Sequence, residues 1–454
     1  MLDYAYDIVI IGGGVSGTAL SYLLNSFTNI RSSALLEHYA AVAQVNSNRI
    51  NNAQTLHKGD TETNFSLSKA LEIKAASDLL AQFLELYGEP GVTFVRLHKM
   101  ALGIGQSEVE LLQDRFCEFK PHFPDLQLFG REEITSVEPK VIEGRDPNVA
   151  IAALFSPNGY AVDYQKLSEI FLAEARRNAK VSGKVFDVKF NTKVLAITRH
   201  EGLYTVHTNL GDLCSKVVVC SAGSYSLLFA HRLKHPEAMK YCILPVAGNF
   251  YVAEKFLNGK VYPVQDPELP FARAHADPAV DNPNETRFGP TIEMLPLLER
   301  RHWWTFFDFL WVKLLTWRGV WCIVKILSRG KMAKFAARNI VYKMPYVGKF
   351  AFLEAARSII PTLRYRDLRF ARGQGGIRPQ LLNLESGKLE MGTAKFVGEN
   401  IIFNVTPSPG ASNCLGNALK DTRLIVQFFD HEYSFDDARF MRELRSCEIK
   451  KGGD

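Results

Sequence analysis

The sequence predicts an α/β protein in which a parallel-sheet domain is joined to a second domain built on a mixed sheet. Three observations carry this prediction. A buried strand over 6–11 (YDIVII) runs into a glycine loop and then a helix. A second apolar strand over 216–221 (KVVVCS) ends in a turn of small residues far along the chain. Between 242 and 300, short apolar runs alternate with Pro, Asn and Asp, which is typical of antiparallel strands.

The remaining elements follow in chain order from their periodicity. The residues after the glycine loop have helical spacing, and 32–37 predicts the next strand, which completes a βαβ unit. Residues 66–86 predict a long amphipathic helix. Two alternating runs within 187–208 predict a hairpin. Residues 401–405 predict a strand, followed by a turn and a helix over 412–429.

Composition excludes several classes of protein. The 454 residues carry a formal net charge of +6, which suits an anionic substrate or an anionic membrane surface. The basic residues form no stripe and no known module, so we expect no nucleic-acid partner. Seven cysteines are scattered without a CxxC pair, so we expect neither a disulfide framework nor a metal site. No apolar stretch is long enough to predict a transmembrane helix, and the first residues do not resemble a secretory signal.

The glycine loop predicts dinucleotide binding. Gly12, Gly14 and Gly17 form GxGxxG directly between a strand and a helix. The first glycine permits a tight turn, the second lets the backbone approach a pyrophosphate, and the third lets the helix pack on the strand. Glu37 follows 20 residues after the last glycine, at the end of the second strand, where it can bind a ribose hydroxyl. We therefore expect a Rossmann-like domain.

Two later segments favour FAD over NAD as the dinucleotide. The strand over 217–221 ends at Ala222 and Gly223, as in the second nucleotide-contacting strand of flavoproteins with this fold. Gly410, Ala411 and Ser412 form a turn that opens a helix, which brings free N–H groups and a positive dipole to one point. Such a point can stabilise the negative charge that a flavin gains on reduction.

With these residues assembled, the chain resembles the malate:quinone oxidoreductases. They belong to a superfamily of FAD enzymes that includes D-amino acid oxidase, glycine oxidase and L-2-hydroxyglutarate dehydrogenase. The likeness covers nearly the whole length, in the segments IVIIGGGVSGTAL, AQVNSNRINNAQTLHKGDTETNF, LPVAGNFY, PFARAHADPAVDNPNETRFGPT, GGIRPQLL and NVTPSPGASNCLGNAL. It implies a D-amino acid oxidase-like fold, with an FAD-binding domain from residues 1–90, 150–240 and 370–446 and a substrate domain from 91–149 and 241–369.

The resemblance also implies roles for particular residues. Arg378, in GGIRPQ, falls where related enzymes place the arginine that grips the substrate carboxylate, and a guanidinium can do this bidentately. His275, in FARAHADP, matches a histidine of the L-2-hydroxyglutarate enzymes and is expected to take the hydroxyl proton. His57 is expected beside the flavin ring rather than as the base. Asn48 and Val194 are expected to contact FAD.

All five tryptophans lie in the segment 303–327. On a helix, one face would carry Trp303, Phe307, Leu310, Leu314, Trp317, Trp321 and Val324. Lys313, Arg318 and Lys325 would flank this face, and such a basic amphipathic helix favours the membrane interface. The alternative is a helix packed against the core of its own domain.

The resemblance implies an enzyme that oxidises (S)-malate to oxaloacetate with FAD and passes the electrons to a membrane quinone. We expect peripheral attachment at the cytoplasmic side of the cell membrane through residues 303–327. Three alternatives stay open: an L-2-hydroxyglutarate or other 2-hydroxy acid dehydrogenase, an amino acid oxidase that reduces oxygen, and a flavin-binding subunit without turnover.

Overall fold

The computed structural model describes most of the chain, in the ranges 5–265, 273–280, 282–312, 314–328, 330–342, 344, 346–390, 394–406, 409–430 and 432–451. Within these ranges the strands are β1 (Ala5–Ile11), β2 (Ser32–Leu36), β3 (Phe94–Ile104), β4 (Gln127–Phe129), β5 (Ile151–Val162), β6 (Val185–Lys189), β7 (Val194–His200), β8 (Leu203–Thr208), β9 (Gly211–Cys220), β10 (Tyr241–Ala247), β11 (Tyr251–Glu254), β12 (Lys260–Pro263), β13 (His275–Pro278), β14 (Glu285–Gly289), β15 (Glu293–Met294), β16 (Arg369–Phe370), β17 (Ile377–Asn383), β18 (Leu389–Glu390), β19 (Ala394–Gly398) and β20 (Ile401–Val405).

The α-helices are α1 (Val15–Phe27), α2 (Leu67–Tyr87), α3 (Gln106–Phe119), α4 (Arg131–Val137), α5 (Pro139–Ile142), α6 (Tyr164–Val181), α7 (Ser224–Arg232), α8 (Thr305–Phe309), α9 (Trp317–Leu327), α10 (Gly330–Val341), α11 (Val347–Arg357), α12 (Cys414–Phe428) and α13 (Asp437–Lys451). Short 3-10 helices cover Arg49–Asn51, Ala238–Lys240 and Leu310–Val312. Helix α13 continues through Lys451.

The first sheet contains the predicted βαβ unit. Its order is β19-β20-β9-β1-β2-β6, and the hairpin β7–β8 joins it through β9. Strand β1 pairs in parallel with both β2 and β9. The apolar side chains of these central strands are buried because α1, α2, α6 and α12 cover one face of the sheet, as expected for a parallel sheet. The predicted hairpin within 187–208 and the helices near 66–86 and 412–429 are confirmed.

The other two sheets are built mainly from the middle of the chain. One has the order β15-β10-β17-β18, and the other has the order β16-β11-β14-β13-β12-β3-β5-β4. Most of their pairings are antiparallel, but β12 pairs in parallel with β3, so the predicted mixed sheet is confirmed. Strands β5 and β17 come from segments assigned to the FAD-binding domain, yet they pair in these two sheets. The two-domain division remains our proposal.

The prediction of one continuous helix over 303–327 is wrong. The segment forms α8, a 3-10 turn and then α9, because the Thr316 side chain accepts a hydrogen bond from the Gly319 N–H and starts a new helix. Leu314, which the helical face would have exposed, is buried with Phe309 and Val312. Lys313, one of the three basic residues expected beside the apolar face, lies outside the described residues. Among the described residues, no helix combines the length and apolar character needed to span a membrane.

Candidate functional site

The glycine loop at the end of β1 lies tightly against neighbouring backbone. Gly12 has a φ of +107°, and a Cβ added there would lie 2.6 Å from the carbonyl oxygen of Ser221. A Cβ added to Gly17 would overlap the carbonyl oxygen of Gly12. The first glycine therefore lets β1 lie beside the end of β9, and the last lets α1 pack on the loop.

Glu37 connects the end of β2 to this loop. Its carboxylate accepts hydrogen bonds from the N–H of Gly13 at 2.7 Å and of Tyr39 at 2.9 Å. Burial raises the pKa of Glu37, and these two hydrogen bonds oppose that effect. Glu37 also lines the adjoining cleft, so its predicted contact with a ribose hydroxyl remains compatible with this arrangement.

A cleft of about 280 Å³ runs beside the carboxyl ends of β1 and β9. Its lining includes Gly12, Gly14, Glu37, Val194, Ala222, Gly223, Gly410, Ala411 and Ser412, all of which the sequence predicted. The structure does not bring Asn48 into this lining. The Asn48 side chain instead caps the 3-10 helix by accepting from the Ile50 N–H at 3.3 Å, while Asn46, Asn51 and Asn52 line the cleft.

The turn at 410–412 is tied to the segment that carries His57. The His57 N–H donates to Ser412 Oγ at 3.0 Å, and Ser412 Oγ donates to the carbonyl oxygen of Thr55 at 3.2 Å. Helix α12 begins directly after this turn, at Cys414, so its positive end lies at the cleft wall. At this end of the cleft, the first N–H groups of α12 therefore lie next to the backbone of His57.

A second cavity of about 90 Å³ adjoins this end of the cleft. His57, Arg378 and Pro409 line both cavities. Arg378 lies on β17 opposite Val246 of β10, and burial lowers its pKa. Among the described lining residues of the small cavity, Arg378 is the only arginine or lysine. Its guanidinium makes no ion pair with a described carboxylate.

The sequence reasoning missed several polar residues of the small cavity. They include Glu62, Tyr262 and Gln380. The Gln380 side chain is buried, and its Oε1 has no hydrogen-bond partner among the described residues. Strand alternation places Gln380 on the same face as Arg378, two residues earlier, and this signal could have found it.

His57 and Glu62 are directly hydrogen-bonded, with 2.7 Å between His57 Nδ1 and Glu62 Oε1. Burial disfavours ionisation of Glu62, but the Lys99 ammonium and the His57 ring outweigh it and hold the pKa of Glu62 well below its usual range. Glu62 is therefore an anion at the edge of the small cavity.

His275 lies behind this cavity and does not line it. Its ring packs on Tyr262, with 4.6 Å between the ring centroids. Neither ring nitrogen has a hydrogen-bond partner among the described residues. Burial lowers the pKa of His275 to about 3, so the ring is neutral at physiological pH.

A buried ionic cluster holds the cleft wall at residues 53–55. Lys260 Nζ donates to the carbonyl oxygen of Ala53 at 3.2 Å and to Asp277 Oδ2 at 2.7 Å. Arg287 Nη2 donates to the same two groups, at 3.1 and 2.9 Å. Removing Asp277 would leave both buried cations without their carboxylate, so this carboxylate stabilises the cleft wall.

The fold and the cleft together define a flavin-dependent oxidoreductase. The crystal structure of glycine oxidase from Geobacillus kaustophilus covers 96% of this chain and 98% of its own, with a TM-score of 0.65 and 18% identity. L-alpha-glycerophosphate oxidase from Mycoplasma pneumoniae with FAD bound covers 96% and 97%, with a TM-score of 0.64 and 18% identity. The crowded glycine loop and the long cleft fit an extended dinucleotide, and FAD is the cofactor.

Sequence comparison defines the family. The Malate:quinone oxidoreductase (Mqo) family model matches residues 4–437. A probable malate:quinone oxidoreductase of Campylobacter jejuni is 35% identical over 98% of this chain and 100% of the relative. A malate:quinone oxidoreductase of Helicobacter pylori is 36% identical over 99% of this chain and 100% of the relative. The chain belongs to the malate:quinone oxidoreductase family.

Proposed function

We propose that the protein oxidises (S)-malate to oxaloacetate with FAD and passes the electrons to a membrane quinone. Family membership supports the reaction class. The observation that carries the proposal is the small cavity beside the FAD cleft, where Arg378 has no carboxylate partner among the described residues. An anionic 2-hydroxy acid supplies the missing carboxylate.

Arg378 is suited to position this substrate. Its planar guanidinium can hold a carboxylate through two parallel hydrogen bonds, which also fixes the neighbouring carbon. Pairing with Val246 of β10 fixes the backbone that carries Arg378. Gln380 and Tyr262 offer neutral hydrogen-bonding groups for the rest of the substrate.

FAD, when bound, supplies the acceptor for the hydride that leaves C2 of the substrate. The chain must then accept the hydroxyl proton and keep bulk water out of the small cavity. Among the described residues, His57 and His275 are the two histidines near this cavity, and only His57 lines it.

We propose that the segment 303–327 forms a surface that binds the membrane, where the reduced flavin passes its electrons to quinone. All five tryptophan side chains there are more than half exposed. Arg318 and Lys325 are exposed beside them. Each inserted tryptophan would bury about 150–250 Å². At about 25 cal/mol per Å², two or three such residues contribute several kcal/mol, which supports reversible attachment.

The segment also adjoins the FAD cleft. Tyr225, which lines the cleft, donates a hydrogen bond to Asp308 of α8 at 3.3 Å. A membrane in contact with the tryptophans would therefore lie close to the cofactor domain. The side of the membrane that the protein occupies stays a prediction.

The test compares malate-dependent reduction of vesicle-embedded quinone with reduction of a soluble dye. The variant Trp303/Trp317/Trp321→Ser is expected to lose vesicle binding and quinone reduction while dye reduction continues. A matched control replaces three exposed apolar residues outside this segment, Val92/Val181/Leu210→Ser, and is expected to keep both activities. Unchanged vesicle binding and quinone reduction in the tryptophan variant would contradict the membrane assignment. If wild type fails to reduce the dye with malate, malate is not the substrate.

A further inference from the structure

The pair formed by His57 and Glu62 has a defined hydrogen-bond direction. Glu62 is held as an anion, mainly by Lys99 and by His57 itself, against the effect of burial. A carboxylate can only accept, so His57 Nδ1 must be the donor across the 2.7 Å contact. In the neutral ring, Nε2 then carries the free lone pair. Among the described residues, Nε2 has no hydrogen-bond partner.

The position of this ring matches the place where a proton must be accepted. His57 lines both the FAD cleft and the small cavity that contains Arg378. Its backbone is tied to Ser412, at the turn before α12. A substrate held by Arg378 beside the flavin would therefore meet the ring at the junction of the two cavities.

His275 does not meet the same conditions. It lines neither cavity, and the ring of Tyr262 lies against it. Burial lowers the pKa of His275 to about 3, and a base this weak accepts a hydroxyl proton poorly at neutral pH.

We propose that Glu62 is a positioning residue that holds His57 as the base for the hydroxyl proton of the 2-hydroxy acid. This inference rests on the proposed function. The substrate O–H bond breaks, and its proton goes to His57 Nε2. The C2–H bond breaks with its electron pair, which passes as hydride to FAD. The remaining electrons of the O–H bond form the C2=O bond of the 2-oxo acid, so oxidation of the substrate balances reduction of the cofactor.

Glu62 can be changed without leaving a buried charge alone. Lys99 is fully buried and lies 3.9 Å from Glu62, but its main partner is Asp60 at 2.8 Å. That pair stays in a Glu62→Gln variant. The other charged or titratable groups around the pair are Arg115, Tyr262, His275 and Arg378.

The experiment follows anaerobic bleaching of the flavin in the FAD-loaded protein across the neutral pH range. Glu62→Gln is expected to slow flavin reduction about 10- to 100-fold, and His57→Gln about 100-fold or more. The pH–rate profile of Glu62→Gln should differ from that of wild type, because the amide cannot replace the carboxylate that accepts the hydrogen bond from His57 Nδ1. Glu62→Asp should restore part of the rate. A larger solvent isotope effect in Glu62→Gln would show that proton transfer has become slower.

Glu72→Gln is the matched control, since Glu72 is a surface residue paired with Lys69 and Lys420, and it should behave as wild type. FAD content and thermal unfolding are measured for every variant. The substrate in every assay is the 2-hydroxy acid that bleaches the wild-type flavin fastest. The choice of acid by the wild-type protein tests the proposed substrate. The rates of the variants with that acid test the proposed base. A wild-type rate, pH profile and isotope effect in folded Glu62→Gln would overturn the role of Glu62. A wild-type rate in His57→Gln, with slow reduction in His275→Ala, would assign the base to His275.

Discussion

The Cα of Gly17 lies directly against the carbonyl oxygen of Gly12, so that a methyl group on Gly17 would overlap this oxygen. Gly17→Ala must therefore push α1 away from β1 and distort the loop that approaches the FAD pyrophosphate. We expect the purified variant to contain much less FAD than wild type, as measured by the ratio of flavin to protein absorbance. Gly330→Ala is the control, because a Cβ there meets nothing within 4 Å. Full FAD content in Gly17→Ala would mean that the close contact is not needed for binding.

Arg378→Lys tests the carboxylate clamp. Lysine keeps the positive charge but loses the planar fork that binds two oxygens at once. One charge-assisted hydrogen bond is worth about 2–3 kcal/mol, so we expect kcat/KM for malate to fall about 30- to 150-fold. The exposed Arg366→Lys should leave kcat/KM unchanged. Equal kcat/KM values for Arg378→Lys and wild type would show that another residue binds the substrate carboxylate.

His275 should make the stability of the protein depend on pH. Burial lowers the folded-state pKa of His275 to about 3, whereas an unfolded histidine takes up a proton near pH 6.5. Between these two values the unfolded chain binds more protons, so stability is lost as the pH falls. Each unit of pKa difference corresponds to about 1.4 kcal/mol, which gives an upper limit of roughly 5 kcal/mol.

The measurement is the urea midpoint at about pH 7 and about pH 5. Wild type should lose more stability on acidification than His275→Phe, in which this proton uptake is absent. His200→Phe serves as the control, since the His200 side chain is 85% exposed. If His275→Phe and wild type lose equal stability, His275 is not buried as a neutral ring.

The sequence predicted those parts of the molecule that depend on local pattern. The glycine loop, β1, β2 and the β7–β8 hairpin follow from residues within about ten positions of each other, so periodicity and turn residues were sufficient. The break before α9 was missed because a single capping residue, Thr316, outweighed an apolar pattern that continues across it.

The small cavity could be predicted only in part. Arg378 and His57 came from family resemblance. Glu62 follows His57 by only five residues, but Tyr262 of β12 and Arg378 of β17 meet this segment only because the fold brings distant parts of the chain together. The choice of Asn48 as an FAD contact shows the same limit. In the asparagine-rich stretch 46–52, only the three-dimensional path of the loop decides which side chains line the cleft.

The most direct test of the whole account is anaerobic mixing of the FAD-loaded protein with malate, lactate and 2-hydroxyglutarate in parallel. The flavin absorbance should bleach fastest with (S)-malate, and reoxidation by a quinone should restore it. Faster bleaching by lactate or 2-hydroxyglutarate would contradict malate as the substrate. A flavin that none of the three acids reduces would contradict the assignment of the Arg378 cavity to a 2-hydroxy acid.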